Sequence, residues 1–229
     1  MDLDQRYRLA ARSYDLISGE PVYRAGRRLG IAALNLRPGD LVLDVGCGTG
    51  LNFAGLRAAV GTTGRVVGLD ASTTMLRQAA ARTVRNRWRN VELVQADATT
   101  APPEVLLEWL GRPCDGVLAT YALSLMRSWR AAWRTMLSLT APAGRLAVVD
   151  LQRPMDVPRP AVWLAELACR LGGSDVDAQP WTAVEQDCAG VRAAQVWAGH
   201  LQVRSGQPGR ESGAGREGDA TPDPDTHQN

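Results

Sequence analysis

Short apolar runs recur along the chain at 41–45, 65–69, 91–95, 116–120 and 145–150. The runs LVLDV, RVVGL, VELVQ, GVLAT and RLAVVD are nearly continuous in apolar residues rather than alternating, the pattern of parallel strands covered on both faces. Between them, 51–60, 72–87, 102–111 and 125–139 have the length and spacing of helices. Strand and helix in turn predict a doubly wound parallel sheet. A polar helix over 4–17 and a second over 21–35 precede it, the latter with Val22, Gly26, Leu29, Gly30 and Ala33 at helical spacing. A helix at 158–171, a shorter one at 181–189, and strands at 192–198 and 200–204 with Gly199 as their turn complete the pattern. The expected class is α/β, with a seven-stranded, mostly parallel, Rossmann-like sheet.

From Ser205 onward the pattern stops. The last 25 residues, SGQPGRESGAGREGDATPDPDTHQN, hold no large apolar side chain, so they are expected to form a disordered tail. This divides the chain into a folded domain at 1–204, of which 1–36 form leading helices, and a tail at 205–229. Two arginines against five acids give the tail −3, so the +2 chain carries +5 on its domain. That bias is too small to argue for nucleic acid as a partner. All 26 basic residues are arginine, which excludes a phosphate-cradling or Schiff-base lysine. Cys47, Cys114, Cys169 and Cys188 stand far apart, without the paired spacing of a disulfide scaffold, and no metal site is expected. The N-terminus MDLDQRYR does not resemble a signal peptide, and no apolar run approaches the roughly 20 residues of a membrane span. Cytoplasmic localisation is the expectation.

Leu43-Asp44-Val45-Gly46-Cys47-Gly48-Thr49-Gly50 joins the first strand to the first helix. Glycines here allow a sharp turn and close approach to a ligand, with the helix amides behind. A dinucleotide fingerprint would place a third glycine where Leu51 stands, which argues against a nicotinamide enzyme. The stretch VLDVGCGTG resembles motif I of the class I S-adenosylmethionine-dependent methyltransferases. Asp70, opening Asp-Ala-Ser-Thr-Thr-Met-Leu, is similar to that family's D-x-S-x-x-M-L, and Asp97-Ala98 and Thr120-Tyr121 follow the third and fourth strands. The resemblance implies S-adenosyl-L-methionine as cofactor, held by Asp44, Gly46, Cys47, Gly48, Thr49 and Gly50. It also implies Asp70 on the ribose hydroxyls, with Ala71 beside it, Met75 packing on the adenine side, Asp97 and Ala98 at the adenine amino group, and Thr120 at the crevice mouth. Asp70 and Asp97 can equally cap helices, and Cys47 can be a small filler.

Ala11-Arg12-Ser13-Tyr14-Asp15 is similar to the opening of quinone C-methyltransferases of the ubiquinone and menaquinone pathways, and of related phosphatidylethanolamine N-methyltransferases. There the leading helices fold over the cofactor as a lid, which implies Tyr14 near it. Gly172-Gly173-Ser174-Asp175 before Pro180-Trp181 resembles the lipid-headgroup branch. The expected acceptor is a small molecule or lipid headgroup, with an amine favoured because clear acid–base groups are scarce. A quinone-type carbon and a non-catalytic cofactor-binding module are the alternatives. Candidate catalytic residues are Tyr14 and Tyr121, as orienters rather than bases, and His200, the only imidazole ahead of the tail, for which a satisfied structural histidine is the plainer reading. Asp150 is a further candidate for substrate contact. Arg77, Arg82, Arg85, Arg87 and Arg89, with Trp88 among them, raise peripheral membrane contact, while solvated helix faces are the plainer reading.

Overall fold

The computed structural model describes residues 20–152, 178–197 and 199–209. Tyr14, the helices expected at 4–17 and 158–171, and Gly172 to Asp175 lie outside the described residues. The strands are β1 (Leu41–Val45), β2 (Arg65–Asp70), β3 (Val91–Gln95), β4 (Cys114–Thr120), β5 (Thr140–Leu151), β6 (Cys188–Val196) and β7 (Leu201–Pro208). They form one seven-stranded sheet in the order β3-β2-β1-β4-β5-β7-β6. Strands β1 to β5 pair in parallel, and β7 runs antiparallel to both neighbours. The helices are α1 (Glu20–Ala33), α2 (Phe53–Val60), α3 (Thr73–Arg85), α4 (Pro103–Leu110), α5 (Trp129–Leu139) and α6 (Thr182–Asp187).

Alternate residues of each central strand feed opposite cores. Leu41, Leu43, Val45, Val117 and Val148 pack under α4, α5 and α6, where Trp129, Trp133, Met136 and Trp181 are buried. Val42, Val66, Leu118 and Ala147 pack under α2 and α3, against Phe53, Leu56, Val60 and Leu76. The tryptophans of α5 are therefore core contacts. Gly26 and Gly30 of α1 face the sheet: a Cβ on Gly30 would meet Val149, and one on Gly26 the hydroxyl of Tyr121. Leu29, at the same helical spacing, is instead 39% exposed.

Several boundaries differ from the sequence pattern: β5 starts at Thr140 rather than 145, and β6 starts at Cys188, inside the helix expected at 181–189. The helix expected at 125–139 starts at Trp129, after a short 3-10 turn at Leu123–Leu125. Ser205 to Pro208, placed in the expected tail, belong instead to β7, with Ser205 paired to Ala147 and Gly206 to Leu146. Ser205 is fully buried. Backbone pairing, which needs no apolar side chain, holds these residues in the sheet.

Connections leave β1 in opposite directions, through β2 to β3 on one side and from β4 to β5 on the other. The carboxyl ends of β1 and β4 therefore flank the topological switch point, where open α/β sheets bind ligands.

Candidate active site

The glycine loop leaves β1 at this switch point. The N–H groups of Gly46 and Cys47 both donate to the carbonyl of Leu69, at 2.8 and 3.0 Å, so the loop is tied to the end of β2. Gly46 has φ +66° and Gly48 φ +55°, where a side chain costs roughly 1–2 kcal/mol. A Cβ at Gly46 would lie 2.5 Å from the Ala122 Cβ, so sterics demand glycine there. At Gly48 a Cβ would meet nothing within 4 Å, which leaves that side of the loop open to a ligand.

Asp70 ends β2 beside this opening. One carboxylate oxygen accepts the Gly48 N–H at 2.8 Å and the other accepts the Ser72 N–H at 2.8 Å. Burial raises its pKa, and the two backbone bonds act in the opposite sense. Each oxygen retains a further lone pair, so the orientated carboxylate can receive two neighbouring hydroxyls. Ser72 caps α3 by accepting the Met75 N–H at 3.3 Å, and this sets Met75 into the first turn, where it is buried. Ala71 is exposed between them. After β3, Asp97 is exposed and one of its oxygens accepts both the N–H (2.8 Å) and the hydroxyl (2.7 Å) of Thr99. Its second oxygen is left to solvent or ligand, while Ala98 is buried.

Asp44 lies deeper than its place in the motif suggests. It is fully buried, and burial pushes its carboxyl up to about 7, against a lowering bond from Asn52. The Asn52 amide nitrogen donates to both Asp44 oxygens, at 2.9 and 3.1 Å, and to the Thr120 hydroxyl at 2.9 Å. Asn52 thus links the carboxyl ends of β1 and β4 across the switch point. Asp44 and Thr120 act through this bridge, and Asp44 offers no surface to a ligand. Asn52 escaped the motif reading, although asparagine at the start of a helix is a recognisable signal. Its side-chain carbonyl oxygen, Oδ1, is buried with no partner among the described residues.

Cys47 turns away from the opening. A Cβ on Gly68 would stand 2.9 Å from its sulfur, and burial pushes the thiol well up, so its side chain is a filler of the α2 layer. Thr49 is also buried, and its carbonyl accepts from Arg82 at 2.9 Å. Gly50, with φ +78°, closes the loop onto Phe53.

On the other side of the switch point, Tyr121 follows β4 with φ +55°, an uncommon conformation for a bulky residue. Its N–H donates to the Val149 carbonyl at 2.7 Å and its hydroxyl to the Tyr23 carbonyl at 2.9 Å. The two tyrosine rings lie 5.0 Å apart at 54°. His200 lies in the β6–β7 turn, its Nδ1 2.6 Å from the Gln152 carbonyl at the exit of β5. Asp150 does not reach this edge. It is fully buried, accepting the Ser124 hydroxyl at 2.7 Å, the Ser124 N–H at 3.1 Å and the Leu151 N–H at 2.8 Å. Its role is to pin the turn after β4 to β5, which corrects the expectation of substrate contact. Among the described residues, no three His, Cys, Asp or Glu side chains group as metal ligands.

A glycine loop and acidic residues thus stand on successive carboxyl ends of this sheet, an arrangement similar to that of class I S-adenosylmethionine-dependent methyltransferases. Residues 42–144 match the family model described as a methyltransferase domain. The chain is 33% identical over 141 residues to the ubiquinone/menaquinone biosynthesis C-methyltransferase of Pseudomonas putida, covering 61% of this chain and 52% of that protein. The corresponding enzyme of Ectopseudomonas mendocina matches to the same extent. The chain thus spans about half the length of the curated relatives it matches. Among solved structures, a SAM-dependent methyltransferase from Aquifex aeolicus superposes with a TM-score of 0.55 at 19% identity, covering 91% of this chain and 99% of that one. The DhpI–SAH complex gives 0.58 at 22% identity, covering 90% and 95%. These likenesses establish the shared fold.

Proposed function

We propose that the chain binds S-adenosyl-L-methionine and transfers its methyl group to a small-molecule or lipid-headgroup acceptor, with an amine favoured. The observation that carries this reading is the Asp70 carboxylate, held by two backbone N–H groups beside the open face of Gly48. Asp70 would bind the ribose hydroxyls, the Gly46–Gly50 loop would follow the sugar and amino-acid portion, and Met75 with Asp97 would bound the adenine. When bound, the cofactor supplies an electrophilic methyl on a sulfonium whose thioether leaves without acid catalysis. The chain's contribution is then mainly alignment, which for orientated pairs supplies ~7–11 kcal/mol. Tyr121, locked by its bonds to α1 and β5, would line the acceptor side near Thr120. Peripheral contact with an anionic surface would run through Arg77, Arg85, Arg87 and Arg89, all exposed along α3 and just beyond it. Trp88 is occupied in packing, with Arg57 stacked 5.4 Å above its ring.

A quinone-type carbon acceptor is the second reading, favoured by the names of the relatives at 33% identity. The test is incubation of the full chain with methyl-labelled S-adenosylmethionine and bacterial lipid and polar extracts. Label in an amine-bearing or headgroup product supports the first reading, and label in a quinone fraction the second. Cofactor binding without transfer to either extract would leave a non-catalytic binding module.

A further inference from the structure

We propose that His200 is the proton acceptor of the transfer step, presented to the methyl acceptor by the β6–β7 turn. The proposal rests on the methyl-transfer reading above. Leu201 pairs with Leu151, and the Gln152 N–H donates to the His200 carbonyl at 2.8 Å. The turn therefore stands at the carboxyl end of β5, on the same edge of the sheet as Thr120 and Tyr121. The His200 N–H closes the turn onto the Trp197 carbonyl at 3.0 Å, and Nδ1 meets the Gln152 carbonyl at 2.6 Å. A carbonyl oxygen can only accept, so the neutral ring carries its proton on Nδ1 and its lone pair on Nε2. The backbone bonds fix the turn, the Nδ1 contact holds the ring, and Nε2 is left as the basic nitrogen.

The surroundings suit an acceptor with an apolar body. Tyr23, Tyr121 and Val196 pack on Leu151 and Leu201 as a small apolar cluster of their own, separate from the two main cores. In the same turn Trp197 is 57% exposed, with φ +58°. A bulky residue held in this region while its indole faces out is the kind of local strain found at ligand sites. The edge thus offers an aromatic wall, an apolar floor and one imidazole lone pair. It fits a protic nucleophile, an amine or hydroxyl on an apolar or aromatic frame. In the step, the acceptor's lone pair forms the bond to the methyl carbon and the carbon–sulfur bond breaks. Its electron pair stays on sulfur as a thioether, and the acceptor's N–H or O–H proton passes to Nε2 and thence to solvent.

Two variants separate this role from a structural one. His200→Asn keeps a donor at the Nδ1 position for the Gln152 carbonyl and removes Nε2, whereas His200→Ala removes both. S-adenosylhomocysteine affinity by calorimetry and label transfer into the extracts are measured for each. Both variants should bind S-adenosylhomocysteine as the wild type does and lose transfer by ~10²-fold or more. Free imidazole should restore part of the rate of His200→Ala. Wild-type transfer by His200→Asn, failure of imidazole to help a slow His200→Ala, or loss of S-adenosylhomocysteine binding in His200→Asn would each overturn the proposal alone. No transfer by the wild type to either extract would instead overturn the methyl-transfer reading beneath it.

Discussion

Replacing Asp44 by asparagine tests the strained electrostatics beneath the glycine loop. The Asp44 carboxyl is fully buried and titrates near 7 in place of its ordinary 3.8, chiefly because burial disfavours the charge. An acid whose pKa is raised by folding binds its proton more tightly in the native state. Stability attributable to it therefore falls as pH rises from about 4 to about 7 and stays low above that. With one pKa unit equal to about 1.4 kcal/mol, the linkage relation gives a loss of about 2.5 kcal/mol between pH 5 and pH 8. In Asp44→Asn the new side-chain carbonyl can still accept from the Asn52 amide, but there is no charge to desolvate. Other titrating groups, Asp150 among them, are common to both proteins and cancel in the comparison. Urea unfolding of wild type and Asp44→Asn at pH 5, 6, 7 and 8 should show the difference moving in favour of the variant by about that amount as pH rises. Parallel pH profiles would refute the reasoning and place the Asp44 charge in a well-solvated or well-paired setting.

Asn52→Ala removes the bridge between β1 and β4 and leaves Asp44 buried without its donor. A loss of about 1–3 kcal/mol in urea unfolding is expected, together with weaker S-adenosylhomocysteine binding in calorimetry. Trp133→Phe removes the indole N–H that donates to Asp187 at 2.7 Å, and should cost about 1.5–3 kcal/mol, read as a lower midpoint in urea. Gly30→Ala drives a methyl into Val149 and should destabilise by roughly 1–3 kcal/mol, visible as a lower Tm.

The central sheet was legible because parallel strands buried on both faces announce themselves as continuous apolar runs, and LVLDV and RVVGL are buried almost throughout. The end of β7 was not legible, since Ser205, Gly206 and Gln207 are held by backbone pairing and carry no apolar signal. The start of α5 was displaced because the long-range bonds of Asp150 to Ser124 fix the preceding turn, and no local pattern reports a contact across 26 residues. Within the proposed site, the position of Asp70 and the glycines at the ends of β1 and β2 was legible in their order along the chain. Asp44 and Cys47 sit in the same motif yet face inward, a distinction of side-chain direction that a motif does not carry. Asn52 lies outside the glycine pattern, and only the three-way arrangement with Asp44 and Thr120 reveals its part.

The most direct test of the account is calorimetric titration of S-adenosylhomocysteine into the wild-type chain and Asp70→Ala. Saturable one-to-one binding to the wild type is expected, weakened about tenfold or more in Asp70→Ala through loss of hydrogen bonds to a charged acceptor, each worth about 1.5–3 kcal/mol. No binding below millimolar concentration by the wild type, or equal affinity in the two proteins, would contradict the nucleoside site assigned to the ends of β1 and β2.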